Sequence, residues 1–311
     1  MTEKNTSLPC IFLMGPTASG KTDLAVQLVQ QFPIDIISVD SAMVYKEMDI
    51  GTAKPDADIL AIAPHRLIDI CDPKDAYSAA QFCQDAHHEI KQIHTNGRIP
   101  LLVGGTGLYF RSLQQGLSDL PSANPDIRQK LEEEAEKIGW AGLHKRLQMV
   151  DPQAATRINS NDAQRIQRAL EIYEMTGINI STWYEKSQQQ AWGYPTIKLV
   201  VAPADRKILH ERIAQRFHLM LEQGVIEEVE RLYQRKDLSL ALPALRAVGY
   251  RQIWHYLEGE WDKTTMIEKG IIATRQLAKR QLTWLRGEKE THWFDSQQAN
   301  LFEQVTTHLN L

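Results

Sequence analysis

The octapeptide at positions 15–22, Gly-Pro-Thr-Ala-Ser-Gly-Lys-Thr, constrains the fold of this chain more than any other feature of its sequence. It fits the pattern G-x-x-x-x-G-K-[ST] and lies between the apolar run Cys10–Met14 and residues 22–32, whose apolar positions recur at helical spacing. A glycine-rich turn between a buried strand and a helix lets backbone N–H groups converge on phosphate oxygens. We therefore expect an α/β domain that binds a phosphorylated ligand at this turn.

The residues of this turn, called the phosphate loop below, have distinct expected roles. Lys21 can reach the leaving phosphate, and the hydroxyl of Thr22 can hold Mg²⁺. The predicted diphosphate-binding residues are Gly15, Pro16, Thr17, Ala18, Ser19, Gly20, Lys21 and Thr22. The loop by itself leaves open whether the ligand is a nucleoside triphosphate or another diphosphate.

Further apolar runs predict the rest of the sheet. They lie at 34–39, 66–70, 99–103 and 197–202, and a last strand is predicted at 292–294. Helix-like stretches separate them, which is typical of parallel strands covered on both faces. The predicted fold is therefore a P-loop NTPase-like parallel sheet flanked by helices, with the ligand beyond the carboxyl ends of the strands.

The middle of the chain differs from the rest in composition and in its apolar pattern. Residues 122–194 are rich in charge, carry Leu and Ala at helical spacing and contain no strand-like run. Two stretches open with cap signals and close on Gly139 and Gly177. We predict a helical insertion domain at 122–195 that interrupts a core domain formed by 1–121 and 196–311.

Composition excludes several other classes of protein. With 43% hydrophobic residues the chain can form a substantial core, and none of its apolar runs approaches the roughly 20 residues of a membrane span. Its three cysteines never occur as CxxC, so neither a disulfide framework nor a zinc site is expected. A net charge of −4 argues against indiscriminate nucleic-acid binding but allows a local basic groove. These features favour a cytoplasmic protein without membrane contact.

Asp40 is the first catalytic candidate outside the phosphate loop. It ends the second apolar run, so it should lie beside the loop at the same edge of the sheet. A carboxylate near a polyphosphate is unfavourable unless it binds a metal or takes a proton, although a simple turn cap is the alternative. Three glycines within 104–107 predict a further close approach, by a ligand or by a neighbouring strand.

A long basic helix is predicted at 263–286. One half of it carries Lys269, Arg275, Lys279, Arg280 and Arg286 with Glu268 as its only acid, whereas the other half is largely apolar. An anionic partner would explain this excess of positive charge. Further cations that could join a groove for folded RNA, or face the phosphates, are Arg165, Arg168, Arg212, Arg216, Arg246 and Arg251.

Three functions fit these residues. A nucleotide or small-molecule kinase would use the phosphate loop for phosphoryl transfer. A transferase acting on an alkyl diphosphate would use it to stabilise departing pyrophosphate. An RNA-binding module would hold a nucleotide only as a structural ligand.

Six motifs taken together resemble those of the tRNA isopentenyltransferase family, which includes the bacterial tRNA dimethylallyltransferases. They are GPTASGKT (15–22), DSAMVY (40–45), GTAKP (51–55), GGTGLYF (104–110), QRIQRALE (164–171) and TRQLAKRQLTWLR (274–286). The resemblance implies transfer of a dimethylallyl group from dimethylallyl diphosphate to N6 of the adenosine just 3′ of the tRNA anticodon, with release of diphosphate. It gives Asp40 the role of proton acceptor and makes Thr17 and Arg216 transition-state contacts beside Lys21 and Mg²⁺.

The same resemblance implies a tRNA surface to which the helical insertion contributes. Its expected members are Asp40, Ser41, Ala42, Met43, Thr106, Arg128, Gln164, Arg165, Ile166, Gln167, Arg168, Arg246, Ala247, Val248, Gly249, Tyr250, Arg251, Lys279, Arg280, Gln281, Leu282, Thr283, Trp284, Leu285 and Arg286. The expected ligands are the anticodon stem-loop, dimethylallyl diphosphate and Mg²⁺. Nothing in the sequence requires more than a monomer, and a P-loop kinase is the alternative function.

Overall fold

The computed structural model of the chain describes residues 8–116, 120–187 and 192–311. Its strands are β1 (Cys10–Met14), β2 (Ile34–Val39), β3 (His65–Arg66), β4 (Ile99–Gly104), β5 (Thr196–Ala202) and β6 (Thr291–Asp295). Its helices are α1 (Lys21–Gln31), α2 (Ala57–Ile62), α3 (Ala79–Thr95), α4 (Gly107–Gln115), α5 (Pro125–Val150), α6 (Pro152–Arg157), α7 (Ala163–Thr176), α8 (Ile180–Ser187), α9 (Arg206–Glu222), α10 (Val225–Gln234), α11 (Tyr250–Leu257), α12 (Lys263–Gly287) and α13 (Leu301–Leu309), with a 3₁₀ turn at Ala244–Arg246.

The six strands form one sheet in the order β3-β2-β4-β1-β5-β6, and every neighbouring pair is parallel. Gly104 at the end of β4 pairs with Met14 on one side and with Val39 on the other. The register therefore brings the phosphate loop, Asp40 and the glycine turn that follows β4 to the same edge of the sheet. This architecture confirms the predicted parallel sheet flanked by helices.

β3 is shorter than the strand that was predicted from the apolar run at 66–70. Its pairing with β2 includes only His65 and Arg66. Leu67 and Asp69 have φ values of 63° and 55°, and such left-handed backbone cannot continue a strand. Alternating backbone handedness, which the apolar pattern does not reveal, ends the strand early.

The chain divides into two compact units. The sheet unit comprises Met1–Phe110 and Gly193–Leu311, and the helical unit comprises Arg111–Trp192. Of the predicted domains, residues 1–7 and 117–119 of the core and 188–191 of the insertion lie outside the described residues. The helix predicted to close on Gly139 instead resumes after it, since α5 continues to Val150 across a kink where Gly139 has φ 73°.

Apolar residues of the strands pack against α1 and α13 on one side of the sheet. A second core within the sheet unit joins residues 44–53 to α9, α10, α11 and α12. The helical unit has its own core, formed by α5, α6, α7 and α8. The segment that follows Asp40 is therefore fixed by the helices that come late in the chain.

The helix α12 matches the one predicted at 263–286 and separates its faces as expected, except that Arg275 of the basic half is half-buried. Lys269, Lys279, Arg280 and Arg286 are exposed, whereas Ala278 and Leu285 are buried. The apolar exception, Ile272, is also exposed. None of the helices in the described part of the chain, α12 included, combines the length and apolar character needed to cross a membrane.

Candidate active site

The phosphate loop is shaped by close backbone contacts. A Cβ on Gly15 would lie 2.4 Å from the carbonyl oxygen of Val201, so only glycine fits between β1 and β5. Gly20 has φ 89° and begins α1 without a side-chain cap. The first N–H groups of α1 are therefore left for a ligand, as expected of an anion site at a helix N-terminus. The hydroxyl of Ser19 is buried here and has no partner among the described residues.

Three cations, called the loop cations below, surround this turn. Lys21 Nζ donates to the carbonyl oxygen of Pro16 at 3.2 Å, and Arg216 on α9 donates to the hydroxyl of Thr17. Arg212, one turn earlier, lies 3.5 Å from the carbonyl oxygen of Ser19. Among the described residues none of these cations forms a salt bridge. With Thr22 they line a cavity of about 1280 Å³.

Burial and neighbouring charge perturb two of these cations. Burial lowers the pKa of Lys21 to about 8; the charge of Asp40 opposes this shift, and that of Arg216 adds to it. Burial also lowers the pKa of Arg216, again opposed by Asp40. A buried cation without a paired carboxylate is unfavourable, so the loop is electrostatically prepared for an anion. Asp40 lies close enough to influence both groups.

The carboxylate of Asp40 is held by the turn that follows β2. Its Oδ1 accepts hydrogen bonds from the backbone N–H groups of Ala42 at 2.8 Å and Met43 at 3.3 Å. No described residue donates to Oδ2. Both interpretations of the sequence are therefore compatible with the geometry, because one oxygen caps the turn while the other is left for chemistry.

The glycine turn after β4 is crowded by protein atoms. A Cβ on Gly104 would lie 2.0 Å from the carbonyl oxygen of Val39, and one on Gly107 would lie 2.5 Å from the ring of Trp284. Gly105 faces Gln281, whose Nε2 would be 2.2 Å from such a Cβ. The close approach predicted for this turn is therefore made by β2 and by side chains of α12.

Comparison with known proteins decides the family. Residues 43–288 match the family described as IPP transferase, and residues 9–67 match the family described as Isopentenyl transferase. A tRNA dimethylallyltransferase of Coxiella burnetii is 55% identical over 306 residues, which cover 98% of each chain. The chain belongs to the IPP transferase family. The resemblance in the six motifs is thereby confirmed.

Solved structures of this family share the fold. The full-length tRNA isopentenylpyrophosphate transferase of Bacillus halodurans superimposes with a TM-score of 0.71 at 35% identity, over 97% of this chain and 95% of that one. A eukaryotic dimethylallyltransferase acting on tRNA gives a TM-score of 0.82 at 27% identity, over 98% of this chain and 79% of that one. The IPP transferase described here is therefore a prenyltransferase, and a P-loop kinase is not favoured.

The residues that the family resemblance assigns to tRNA on α12 divide into two groups. The exposed group is Lys279, Arg280, Thr283 and Arg286. The group that turns away from solvent is Gln281, Leu282, Trp284 and Leu285. Leu282 packs against the buried residues Leu209 and Ile213 of α9, and Trp284 stacks on Phe110 at 6.1 Å between ring centroids. Among these residues of α12 only the first group is exposed to solvent.

Tyr250 is one of the residues that the resemblance assigns to the tRNA surface, but its side chain lies in the core of the sheet unit. It is fully buried, and its hydroxyl donates to Oε1 of Glu228 at 2.5 Å. Glu228 also accepts the backbone N–H groups of Asp49, Ile50 and Gly51 at 2.8–3.0 Å. Within the same predicted segment Arg246 and Arg251 are exposed, whereas Ala247 and Val248 are half-buried and Gly249 is buried with φ 94°.

In the helical unit, two arginines that were assigned to tRNA form ion pairs with one carboxylate. Arg128 Nε and Arg168 Nη1 donate to Glu171 at 2.8 and 2.7 Å, and the carboxylate is fully buried. Burial alone raises the pKa of Glu171, but the two arginines outweigh it and hold that pKa below its ordinary value. Of the remaining candidates in this unit, Gln164 and Arg165 are exposed, Gln167 bonds to Glu132 at 2.9 Å and Ile166 is buried.

Thr106 and Ser41 are joined near Asp40. The backbone N–H of Ser41 donates to the hydroxyl of Thr106 at 3.2 Å, and Ser41 is exposed. This contact places two of the residues assigned to tRNA at the edge of the sheet that carries Asp40.

Lys54 and Ser296 are site residues that the sequence did not single out. Lys54 lines the cavity and donates to Asp49 and Asp69 at 2.5 Å each, with its side chain 3% exposed. Ser296 accepts from Arg212 at 3.1 Å. The motif GTAKP was the only sequence signal for Lys54, and the apolar pattern at 292–294 ends before Ser296.

Proposed function

We propose that this IPP transferase moves the dimethylallyl group of dimethylallyl diphosphate to N6 of the adenosine just 3′ of the anticodon in tRNA. The bond between C1 of the donor and the diphosphate oxygen breaks as the bond between C1 and N6 forms. The N6 proton leaves to a base, and diphosphate is released. The observation that carries this proposal is the set of loop cations beside Asp40 that form no salt bridge among the described residues, in a chain whose relatives are tRNA dimethylallyltransferases.

The phosphate loop would stabilise the leaving group. Negative charge grows on the diphosphate as the carbon–oxygen bond breaks, and preformed donors aimed at that charge lower the barrier. Lys21, the free N–H groups at the start of α1 and the buried Ser19 hydroxyl supply such donors. Arg216 and Thr17, which are already bonded to each other, would contact the reacting end of the diphosphate.

Asp40 would accept the proton from N6. The exocyclic amine is a weak nucleophile because its lone pair is delocalised into the ring, so removal of its proton assists attack. Oδ1 of Asp40 holds the turn at 42–43, which orients the carboxylate while Oδ2 faces no donor among the described residues. The same carboxylate lies within electrostatic reach of Lys21 and Arg216, as a base beside the leaving group must.

Mg²⁺ fits this site through oxygen donors. The Thr22 hydroxyl lines the cavity next to Lys21 and has no hydrogen bond to a described residue. Mg²⁺ prefers one or two protein oxygens together with substrate phosphates, so Thr22 and the diphosphate would hold it. When bound, the ion supplies further charge neutralisation for the departing diphosphate.

The tRNA surface would consist of the exposed members of the predicted set. On the sheet unit these are Ser41, Arg246, Arg251, Lys279, Arg280, Thr283 and Arg286, and on the helical unit they are Gln164 and Arg165. A stacked adenine cannot present N6 to a buried electrophile, so the target base must leave the stack. We expect the enzyme to act as a monomer in the cytoplasm, where its tRNA substrate resides.

The direct test is a pair of parallel incubations, one for prenyl transfer and one for phosphoryl transfer. Purified protein is incubated with Mg²⁺, unmodified tRNA and dimethylallyl diphosphate, and digested nucleosides are analysed by mass spectrometry. We expect the dimethylallyl mass on the adenosine 3′ of the anticodon, and none on a tRNA with guanosine at that position. A parallel incubation with γ-labelled ATP tests the kinase function, and label in an acceptor without prenyl product would overturn the proposal.

A further inference from the structure

Gln281 connects three segments that are far apart in the sequence. The backbone N–H of Thr17 in the phosphate loop donates to Oε1 of Gln281 at 2.9 Å, and Nε2 of Gln281 donates to the carbonyl oxygen of Gly105 at 3.1 Å. Gly105 belongs to the turn after β4, and Gln281 belongs to α12. One side-chain amide therefore bridges the loop after β1 and the loop after β4.

The orientation of Gln281 separates it from the basic face of its own helix. Its neighbours Lys279, Arg280 and Thr283 are exposed, whereas Gln281 is half-buried and both ends of its amide bond to backbone atoms. A Cβ on Gly105 would clash with Nε2 at 2.2 Å, so the glycine at this position gives the amide its space. These contacts do not fit the role of tRNA contact that its motif assigns to it.

We propose that Gln281 is a positioning residue that holds the phosphate loop in the shape that receives diphosphate. This inference rests on the proposed function, since it takes diphosphate to be the ligand of the loop. Thr17 is the point of action because its N–H is fixed by Gln281 while its hydroxyl is fixed by Arg216. Gln281 therefore determines where Thr17 and, through it, the guanidinium of Arg216 meet the leaving group.

Loss of the amide has a specific expected result. Without Gln281 the Thr17 N–H and the Gly105 carbonyl lose their partners in a partly buried place, which is unfavourable and allows the loop to shift. We expect affinity for inorganic pyrophosphate and kcat each to fall about tenfold, because of the two lost hydrogen bonds only that of Thr17 fixes the phosphate loop, and one lost hydrogen bond corresponds to about a factor of ten. Affinity for tRNA should stay within about twofold, because the exposed cations of α12 are untouched.

Two substitutions and one control make the experiment. Gln281→Met keeps the shape and removes both hydrogen bonds, whereas Gln281→Glu keeps an acceptor for Thr17 but removes the donor to Gly105. Gln234→Met alters an exposed glutamine at the end of α10 and should behave as wild type. The measurements are pyrophosphate affinity by calorimetry, tRNA affinity, kcat and the donor KM, and hydrogen exchange of the Thr17 amide by NMR.

The expected pattern is that exchange of the Thr17 amide accelerates in Gln281→Met and stays slow in Gln281→Glu. Both variants should bind pyrophosphate more weakly, and the Glu variant should be the weaker because it adds negative charge beside the anion. Weakened tRNA binding with unchanged pyrophosphate affinity would overturn the inference and make Gln281 an RNA contact. Unchanged Thr17 exchange together with unchanged pyrophosphate affinity in both variants would also overturn the inference.

Failure of the proposed function gives a different result. A wild-type protein that binds pyrophosphate but transfers no prenyl group would refute that function. Pyrophosphate affinity and Thr17 exchange would still decide the role of Gln281, since neither measurement needs turnover. If Gln281→Met does not fold, Gln281→Asn carries the test, because the shorter amide adds no charge and cannot reach both Thr17 and Gly105. Faster Thr17 exchange with weaker pyrophosphate binding would then support the inference, and wild-type exchange and binding would contradict it.

Discussion

The arginines of the two units differ in whether they have a carboxylate partner. In the helical unit Arg128 and Arg168 share the buried carboxylate of Glu171. In the sheet unit Arg212 and Arg216 bond to neutral oxygens around the phosphate loop and, within the described residues, to no carboxylate. The charge of Arg128 and Arg168 is neutralised within the fold, whereas a desolvated cation without a carboxylate is unfavourable until a ligand supplies the opposite charge. The difference indicates which arginines are available to bind an anionic ligand.

The cavity itself contains both kinds of cation. Lys54 lines it but is paired with Asp49 and Asp69, so it fixes the backbone of its own loop. Lys21 lines it without such a partner among the residues that the structure describes, and burial lowers its pKa to about 8. Whether a cation is already paired with a carboxylate is therefore a better guide to ligand binding than its proximity to a cavity.

The largest expected effect comes from Asp40, the carboxylate nearest the loop cations. In Asp40→Asn the turn cap at Oδ1 is kept while the base is lost, so turnover should fall about 10²- to 10⁴-fold, with tRNA affinity nearly unchanged. Single-turnover rates and tRNA binding measure the two quantities. Asp58→Asn, an exposed change on α2, should leave both alone. An equal loss of tRNA affinity would give Asp40 a structural role like that of Glu171.

The charge of Lys21 predicts a pH dependence. Its pKa of about 8 means that it is protonated below pH 8 and loses its charge as the pH rises above 8. Affinity for pyrophosphate should therefore fall above pH 8 by up to about tenfold per pH unit, relative to Lys21→Arg, whose guanidinium stays charged. Calorimetric titrations from pH 6.5 to pH 9.5 compare the two proteins. Parallel profiles would show that Lys21 does not lose its charge in this range.

The exposed cations of α12 are a further set of charges that are available to a ligand, in this case the phosphates of tRNA. Replacing Lys279 and Arg280 together by Gln should weaken tRNA binding and reduce the slope of log affinity against log salt by about 1.5, which corresponds to two lost phosphate contacts. Filter binding at several salt concentrations gives the slope. Lys236→Gln, at an exposed site after α10, is the control, and an unchanged slope in the double variant would exclude contact between this face and phosphates.

The smallest expected effect on activity comes from Glu171, the carboxylate that pairs with Arg128 and Arg168. Glu171→Gln should lower the unfolding free energy by about 1–3 kcal/mol, since it breaks two ion pairs whose arginines are partly exposed. Turnover below the unfolding transition should change less than twofold. Urea unfolding and steady-state assays measure both quantities, with the exposed Glu136→Gln as control. A strong loss of activity without loss of stability would place Glu171 in the reaction.

Much of the fold follows from local patterns. The strands β1, β2, β4, β5 and β6, the helix α12 and the position of Asp40 beside the phosphate loop agree with the predictions from the sequence. Apolar periodicity and glycine spacing report local conformation, and parallel strands place their carboxyl ends together. The short β3 and the resumption of α5 after Gly139 were not predicted, because each depends on a backbone handedness that the apolar pattern does not encode.

The partners of individual side chains could not be predicted in this way. Tyr250 is exposed or buried depending on where Glu228 lies, and Gln281 faces RNA or the phosphate loop depending on a contact across 264 residues. A contiguous motif assigned all of 279–286 to one surface, although a helix turns such residues to opposite sides.

The sequence by itself determined the parallel α/β fold, the phosphate loop, the basic face of α12 and the family, because all of these depend on short-range spacing or on matched motifs. Only the tertiary structure decided which polar side chains are free for a ligand. Whether a charge or an amide is available depends on the neighbours that folding brings to it from distant parts of the chain. Within the described part of the chain, that pairing leaves Lys21, Arg212 and Arg216 without a salt bridge to a carboxylate and joins Thr17 to Gln281.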